Sequence, residues 1–109
     1  EAMCVIDVNS GKNIAKSKKQ ADKERAALGV NMEAAAQVIN QIRLRNISGI
    51  IIIDFINMQE EASVKELLSY MKGLAKKEHI TTNVVDMTPL GLVEMTRKNN
   101  GKTLKELIR

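Results

Sequence analysis

Apolar and polar positions along this chain alternate with two periods, and the switches between them predict its elements. From Ala2 to Val8 the period is two, with Met3, Val5 and Asp7 on one face and Cys4, Ile6 and Val8 on the other. That pattern reads as a strand, ended by a turn at Gly11. Lys12 to Arg25 is polar and reads as a loop, or as a segment turning helical towards Leu28. Asn31 has the chemistry of an N-cap, ahead of Ala35, Val38, Ile39 and Ile42 at helical spacing. Ile50 to Phe55 is the strongest strand signal, and its four consecutive isoleucines predict burial on both faces, as in the centre of an α/β sheet. A second helix is predicted from about Glu60 to Lys77, with Val64, Leu67, Leu68, Met71, Leu74 and Ala75 as its apolar stripe. Thr81 to Met87 and Leu92 to Thr96 read as strands joined by a turn at Pro89 and Gly91, and Asn99-Asn100-Gly101 precedes a short helix, Leu104 to Ile108. The order β-α-β-α-β-β-α predicts an α/β fold, a mixed β-sheet with flanking helices.

Composition narrows the picture. The 109 residues suit a single domain, residues 1–109, with 44% hydrophobic and 28% charged residues arguing against wholesale disorder. Phe55 and Tyr70 are the only aromatic residues, so the stacking platforms that grip single-stranded nucleic acids are scarce and any such contact falls mainly on phosphates. The net charge of +4 favours an anionic partner. A single cysteine, Cys4, excludes an internal disulfide and suits a reducing, cytoplasmic setting. The longest apolar run, Ile50 to Ile53, is too short for a membrane segment. The chain opens on Glu1 and enters a strand almost at once, so a segment of a longer protein is expected.

Three polar features bear on chemistry. Gly11-Lys12 resembles the tail of a phosphate-binding loop, but Ile6 stands where that loop needs its first glycine and Asn13 where it needs Ser or Thr, so Gly11 reads as a turn residue. Asp7 and Asp54 each close an apolar run, CVID and IIIID. A carboxylate there must be paired, hydrogen-bonded or bound to a metal, and two carboxylates completed by water and phosphate are a usual way to hold Mg²⁺. Each aspartate also fits a plain turn cap. Asn9 lies two residues beyond Asp7 on the same side of the strand, placed to orient a water or a phosphate oxygen. No Cys/His set for zinc or nucleophilic catalysis is present, and His79, the sole histidine, suits a solvated helix end. Asp86 and Glu94 read as surface acids or late members of an acidic cluster. Arg43, Arg45, Arg97 and Lys98 flank the central strands and suit either solvent or phosphates.

The stretches EAMCVIDVNSGK, NMEAAAQVINQIRLRNISGIIIIDFINM and GLVEMTRK, in that order from Glu1 to Lys98, closely resemble the catalytic segment of the bacterial ribonuclease E/G family. The resemblance implies a deoxyribonuclease-I-like subdomain of an endoribonuclease that cuts single-stranded RNA with Mg²⁺. It implies Asp7 and Asp54 as the metal ligands and Asn9 as the residue placing the scissile phosphate. Lys12, Lys16, Lys18, Lys19, Arg97 and Lys98 are candidate RNA contacts. It further implies an S1 domain, a 5′-end sensor and a zinc link pairing subunits, all outside these residues, so homo-oligomerisation through those elements and inactivity of the segment alone are expected. The sequence departs from the family pattern at Asn57, where D-F-I-D-M has a second acid, at Thr81, often basic, and in a longer, lysine-rich first loop. These departures keep a non-catalytic RNA-binding or scaffold domain as the alternative.

Overall fold

The computed structural model describes residues 3–8 and 19–99. Within them the elements are β1 (Met3–Asp7), α1 (Gln20–Leu44), β2 (Gly49–Asp54), α2 (Glu61–Lys76), β3 (Thr82–Met87) and β4 (Leu92–Arg97). The α/β class and the order of the first six elements agree with the sequence pattern. The terminal helix expected at Leu104 to Ile108 lies outside the described residues, as do Asn9, Lys12, Lys16 and Lys18.

The four strands form one mixed sheet in the order β1-β2-β4-β3. β1 and β2 run parallel, the long α1 serving as their crossover, while β4 is antiparallel to both β2 and β3. Ile51, Ile53, Val93 and Met95 are fully buried and join Ala35, Val38, Ile39 and Ile42 of α1 and Leu67, Met71 and Ala75 of α2 in one core. Fully burying a side chain of this size contributes roughly 1.5–3 kcal/mol relative to leaving it in water. The opposite face carries the alternate residues and is open: Met3 and Val5 are 65% and 67% exposed.

That asymmetry corrects the expectation for the isoleucine run. Ile51 and Ile53 point into the core, whereas Ile50 and Ile52 face the open side and are only half-buried. β2 is central by strand order but, among the described residues, covered by helices on one face alone.

A second correction concerns α1. It begins at Gln20, eleven residues before Asn31, so Asn31 is a buried interior residue and caps nothing. Its buried positions are Glu24, Ala27, Asn31, Ala35, Val38, Ile39 and Ile42. These follow steps of three and four, so one stripe runs the length of the helix. α1 ends where Asn46, at φ 52°, turns left-handed. The Ile47 N–H then bonds the Ile42 carbonyl oxygen (3.0 Å) and the Asn46 N–H that of Arg43 (3.2 Å), the paired bonds of a Schellman cap.

The β3–β4 hairpin turns at Gly91, whose φ of 86° suits glycine. The Thr88 hydroxyl accepts the Leu90 and Leu92 N–H groups there. A bulge between Val84 and Asp86 restores the alternation, turning Val84 inward and leaving Val85 half-exposed.

Candidate active site

Asp7 and Asp54 are the last residues of two parallel neighbouring strands and are register partners, so they stand side by side on the open face. Adjacent strands lie about 4.8 Å apart, a separation at which two carboxylates can reach a common ion. Asp7 is exposed and Asp54 half-buried. The Val8 N–H bonds the Asp54 carbonyl oxygen at 2.9 Å, locking the two strand ends together just beyond the pair. On the helix side of β1, a groove of about 690 Å³ runs beside Asp7, lined by Cys4, Ile6, Val38, Gln41 and Arg45.

The open face is acidic beyond this pair. Ile52 is the register partner of Glu94, and Glu94 that of Asp86, so both acids share the face of Asp54. Asp86 is exposed and bonds the N–H of Met87. Among the described residues no group of three or more acidic, histidine or cysteine side chains is placed to hold an ion. A pair of carboxylates is nevertheless a sufficient protein contribution for Mg²⁺, which keeps most of its shell as water and substrate oxygen.

Among the basic candidates, Arg97 lies apart from the carboxylate pair. Arg97 is the register partner of Gly49, at the opposite end of β2 from Asp54; five residues of strand separate the two levels by about 16 Å. It is 4% exposed. Its Nη1 donates to the Ile47 carbonyl oxygen (2.8 Å) and to Asn46 Oδ1 (3.2 Å), fastening the α1 cap, while Nε is buried without a partner among the described residues. Lys98 and Lys19 are exposed. Arg43 bonds Asn40 and forms an ion pair with Glu78 (2.7 Å). His79 is exposed, and Cys4 is half-buried and free.

Beside the Asp54 end, sequence reasoning missed Glu24 and misread the role of Asn31. Glu24, 6% exposed, accepts the N–H groups of Gln59 and Glu60, each at 2.9 Å, just ahead of α2. Burial pushes its carboxyl up, but those two N–H groups and the Ser63 hydroxyl outweigh this and hold it below the ordinary glutamate value. Asn31 bonds both backbone groups of Ile56. Extending the apolar spacing of Ala35, Val38 and Ile42 backwards reaches Asn31, Ala27 and Glu24, and that continuity was the available signal.

Fold and site together define a two-layer α/β domain with a carboxylate pair at the ends of parallel strands. A family model described as the Ribonuclease E/G family matches residues 1–100, and the chain belongs to that family. It is 40% identical over 107 residues to Ribonuclease E of Synechocystis sp., covering 98% of this chain and 15% of the relative. It is 37% identical over 108 residues to Ribonuclease G of Haemophilus influenzae, covering 99% and 21%. It is 38% identical over 109 residues to the Ribonuclease E/G-like protein of Pyropia yezoensis, covering 99% and 20%. The chain thus spans about a fifth or less of the length of these curated relatives.

Proposed function

We propose that this chain is the catalytic subdomain of a Mg²⁺-dependent endoribonuclease acting on single-stranded RNA. The observation that carries the reading is the register pairing of Asp7 with Asp54 at the open end of the sheet. Four carboxylates share that face, so an RNA phosphate approaches it only with a cation between them. Asp7 and Asp54 would hold that cation. When bound, Mg²⁺ supplies polarisation of a phosphate oxygen and a more acidic water.

The protein's own residues do the rest. Asp7 and Asp54, fixed on adjacent strands, hold their carboxylates in one relative orientation and leave the outward side open to substrate. Asn9, two residues past Asp7, orients the attacking water or a phosphate oxygen. Water gives up a proton as it forms the new bond to phosphorus, the bond from phosphorus to the 3′ oxygen breaks, and that oxygen takes up a proton in turn. The products are a 5′-phosphate and a 3′-hydroxyl. Lys12, Lys16, Lys18 and Lys19 follow Asp7 in the chain and offset the acidic face by drawing the RNA backbone towards it.

The test is cleavage of a single-stranded RNA by the full-length protein, with Mg²⁺ or with chelator, beside Asp7→Asn and Asp54→Asn. Loss of cleavage on chelation and in both variants is expected. A substituted protein that cuts as fast as its parent overturns the ligand assignment. RNA binding without cleavage by the unsubstituted protein would instead favour a scaffold role.

A further inference from the structure

The chain beyond Asp54 leaves the sheet and is held by two side chains of α1, Asn31 and Glu24. Asn31 is fully buried. Its Nδ2 donates to the Ile56 carbonyl oxygen at 2.9 Å, and its Oδ1 accepts the Ile56 N–H at 3.0 Å. One amide thus offers Ile56 the donor and acceptor that a neighbouring strand would otherwise supply. Two turns earlier on α1, Glu24 takes the Gln59 and Glu60 N–H groups.

The spacings agree. Seven residues of helix rise about 10 Å, and the three residues from Ile56 to Gln59 cover about the same distance when extended. The connector from β2 to α2 therefore runs back along α1 and is tied at two points, with Asn57 exposed between them. Phe55 is bound on the sheet side, through its N–H to the Gly91 carbonyl oxygen at 3.4 Å.

A leucine in place of Asn31 would fill a similar volume without bonding Ile56. The amide instead specifies which residue of the connector lies against α1. Register matters here because a slip of one residue turns every side chain to the other face of the sheet. Asp54 lies two residues before Ile56, at the point where the ladder with β4 ends.

We propose that Asn31 is a positioning residue for the Asp54 carboxylate, holding it level with Asp7 through the two bonds to Ile56. This rests on the reading of Asp7 and Asp54 as a ligand pair. Glu24 secures the far end of the same connector. Asn31 touches neither metal nor substrate, and its effect is confined to where Asp54 points.

The experiment uses the full-length protein carrying Asn31→Asp, which keeps the acceptor for the Ile56 N–H and removes the donor to its carbonyl. Ile42→Val and Ile42→Ala serve as core controls that bracket the stability lost. Two quantities are read: the Mg²⁺ concentration for half-maximal RNA cleavage, and Mn²⁺ binding followed by electron paramagnetic resonance. Asn31→Asp should raise the half-maximal Mg²⁺ concentration by about 10–100-fold, the usual effect of loosening a group that orients a metal ligand. Mn²⁺ binding should weaken in step, with kcat recovered at saturating Mg²⁺. The Ile42 variants should leave both curves in place. Coincidence of the Asn31→Asp curves with those of the controls overturns the proposal. Should Asn31→Asp not fold, Glu24→Gln tests the other tie: a smaller shift in the same direction supports the proposal, and parental curves overturn it. An inactive Asp54→Asn beside a normal Asn31→Asp sinks the positioning role alone, whereas a fully active Asp54→Asn sinks the ligand reading on which it rests.

Discussion

Asp7 and Asp54 occupy the same rung of the β1–β2 ladder, two carboxylates on adjacent strands with their side chains on one face. Like charges placed directly opposite one another cost a sheet roughly 0.2–1 kcal/mol. Replacing one should therefore stabilise the metal-free protein while damaging its chemistry. For Asp54→Asn we expect a gain of that size in urea unfolding at low ionic strength, shrinking as salt screens the pair. Cleavage of RNA should fall by about a hundredfold or more, the scale on which a single group stabilising developing charge is felt. Equal stability of variant and parent at low salt would show that the pair is not strained.

Glu24 predicts a loss of stability in acid. Its folded-state carboxyl is held below the ordinary value by the Gln59 and Glu60 N–H groups and the Ser63 hydroxyl, against the upward push of burial. The stabilisation is thus complete above the unfolded-state pKa of about 4.3 and drains away as pH falls through the lower folded-state pKa. Glu24→Gln should unfold more easily at pH 7, by about 1–3 kcal/mol as a charged acceptor of buried N–H groups is lost. Between pH 7 and pH 3 the gap between variant and parent should narrow in chemical denaturation. A gap that is constant over that range would deny the carboxylate its role.

Gly29 and Gly73 sit inside α1 and α2, are exposed, and have nothing within 4 Å of where a Cβ would stand. Neither conformation nor space calls for glycine at these positions. Gly29→Ala and Gly73→Ala should each raise stability by about 0.5–1 kcal/mol, through the entropy a glycine loses in a helix. Thermal melts of the single variants measure this directly.

Asn46 carries two duties, a left-handed turn and an acceptor for Arg97. Asn46→Ala should cost about 1–3 kcal/mol, combining the left-handed penalty for a residue with a Cβ and a hydrogen bond withdrawn from a buried guanidinium. Asn46→Gly keeps the turn and loses only the acceptor, so it should fall between parent and Asn46→Ala in unfolding midpoint. A glycine variant no better than alanine would place the whole effect on the side chain.

Strand and helix periods were legible because each element buries one face, and the boundaries of β2, α2, β3 and β4 follow from local pattern. What escaped depended on distant partners. Asn31 looks like a helix start because Gly29 and the polar run before it mask the stripe continuing back to Glu24, and because its partner Ile56 is 25 residues away. The isoleucine run could not reveal that, among the described residues, helices cover only one face of the sheet, since nothing in the run itself separates Ile50 and Ile52 from Ile51 and Ile53. The two aspartates were visible as carboxylates closing apolar runs. Their sharing of a rung required the parallel crossover made by α1, which no local pattern states.

The insertion of β4 between β2 and β3 has a consequence for how the protein is made. During synthesis β2 emerges some forty residues before its antiparallel neighbour β4, and until then one edge of the isoleucine strand has no partner. Pairings of such long sequence separation form late and slowly, because the loop they close must be ordered first. α1 and α2 can shield the core face in the interval, but the bare edge of β2 is open to pairing with another nascent chain. The Thr88–Leu92 turn, which brings β4 back beside β3, is therefore the step that ends this exposure.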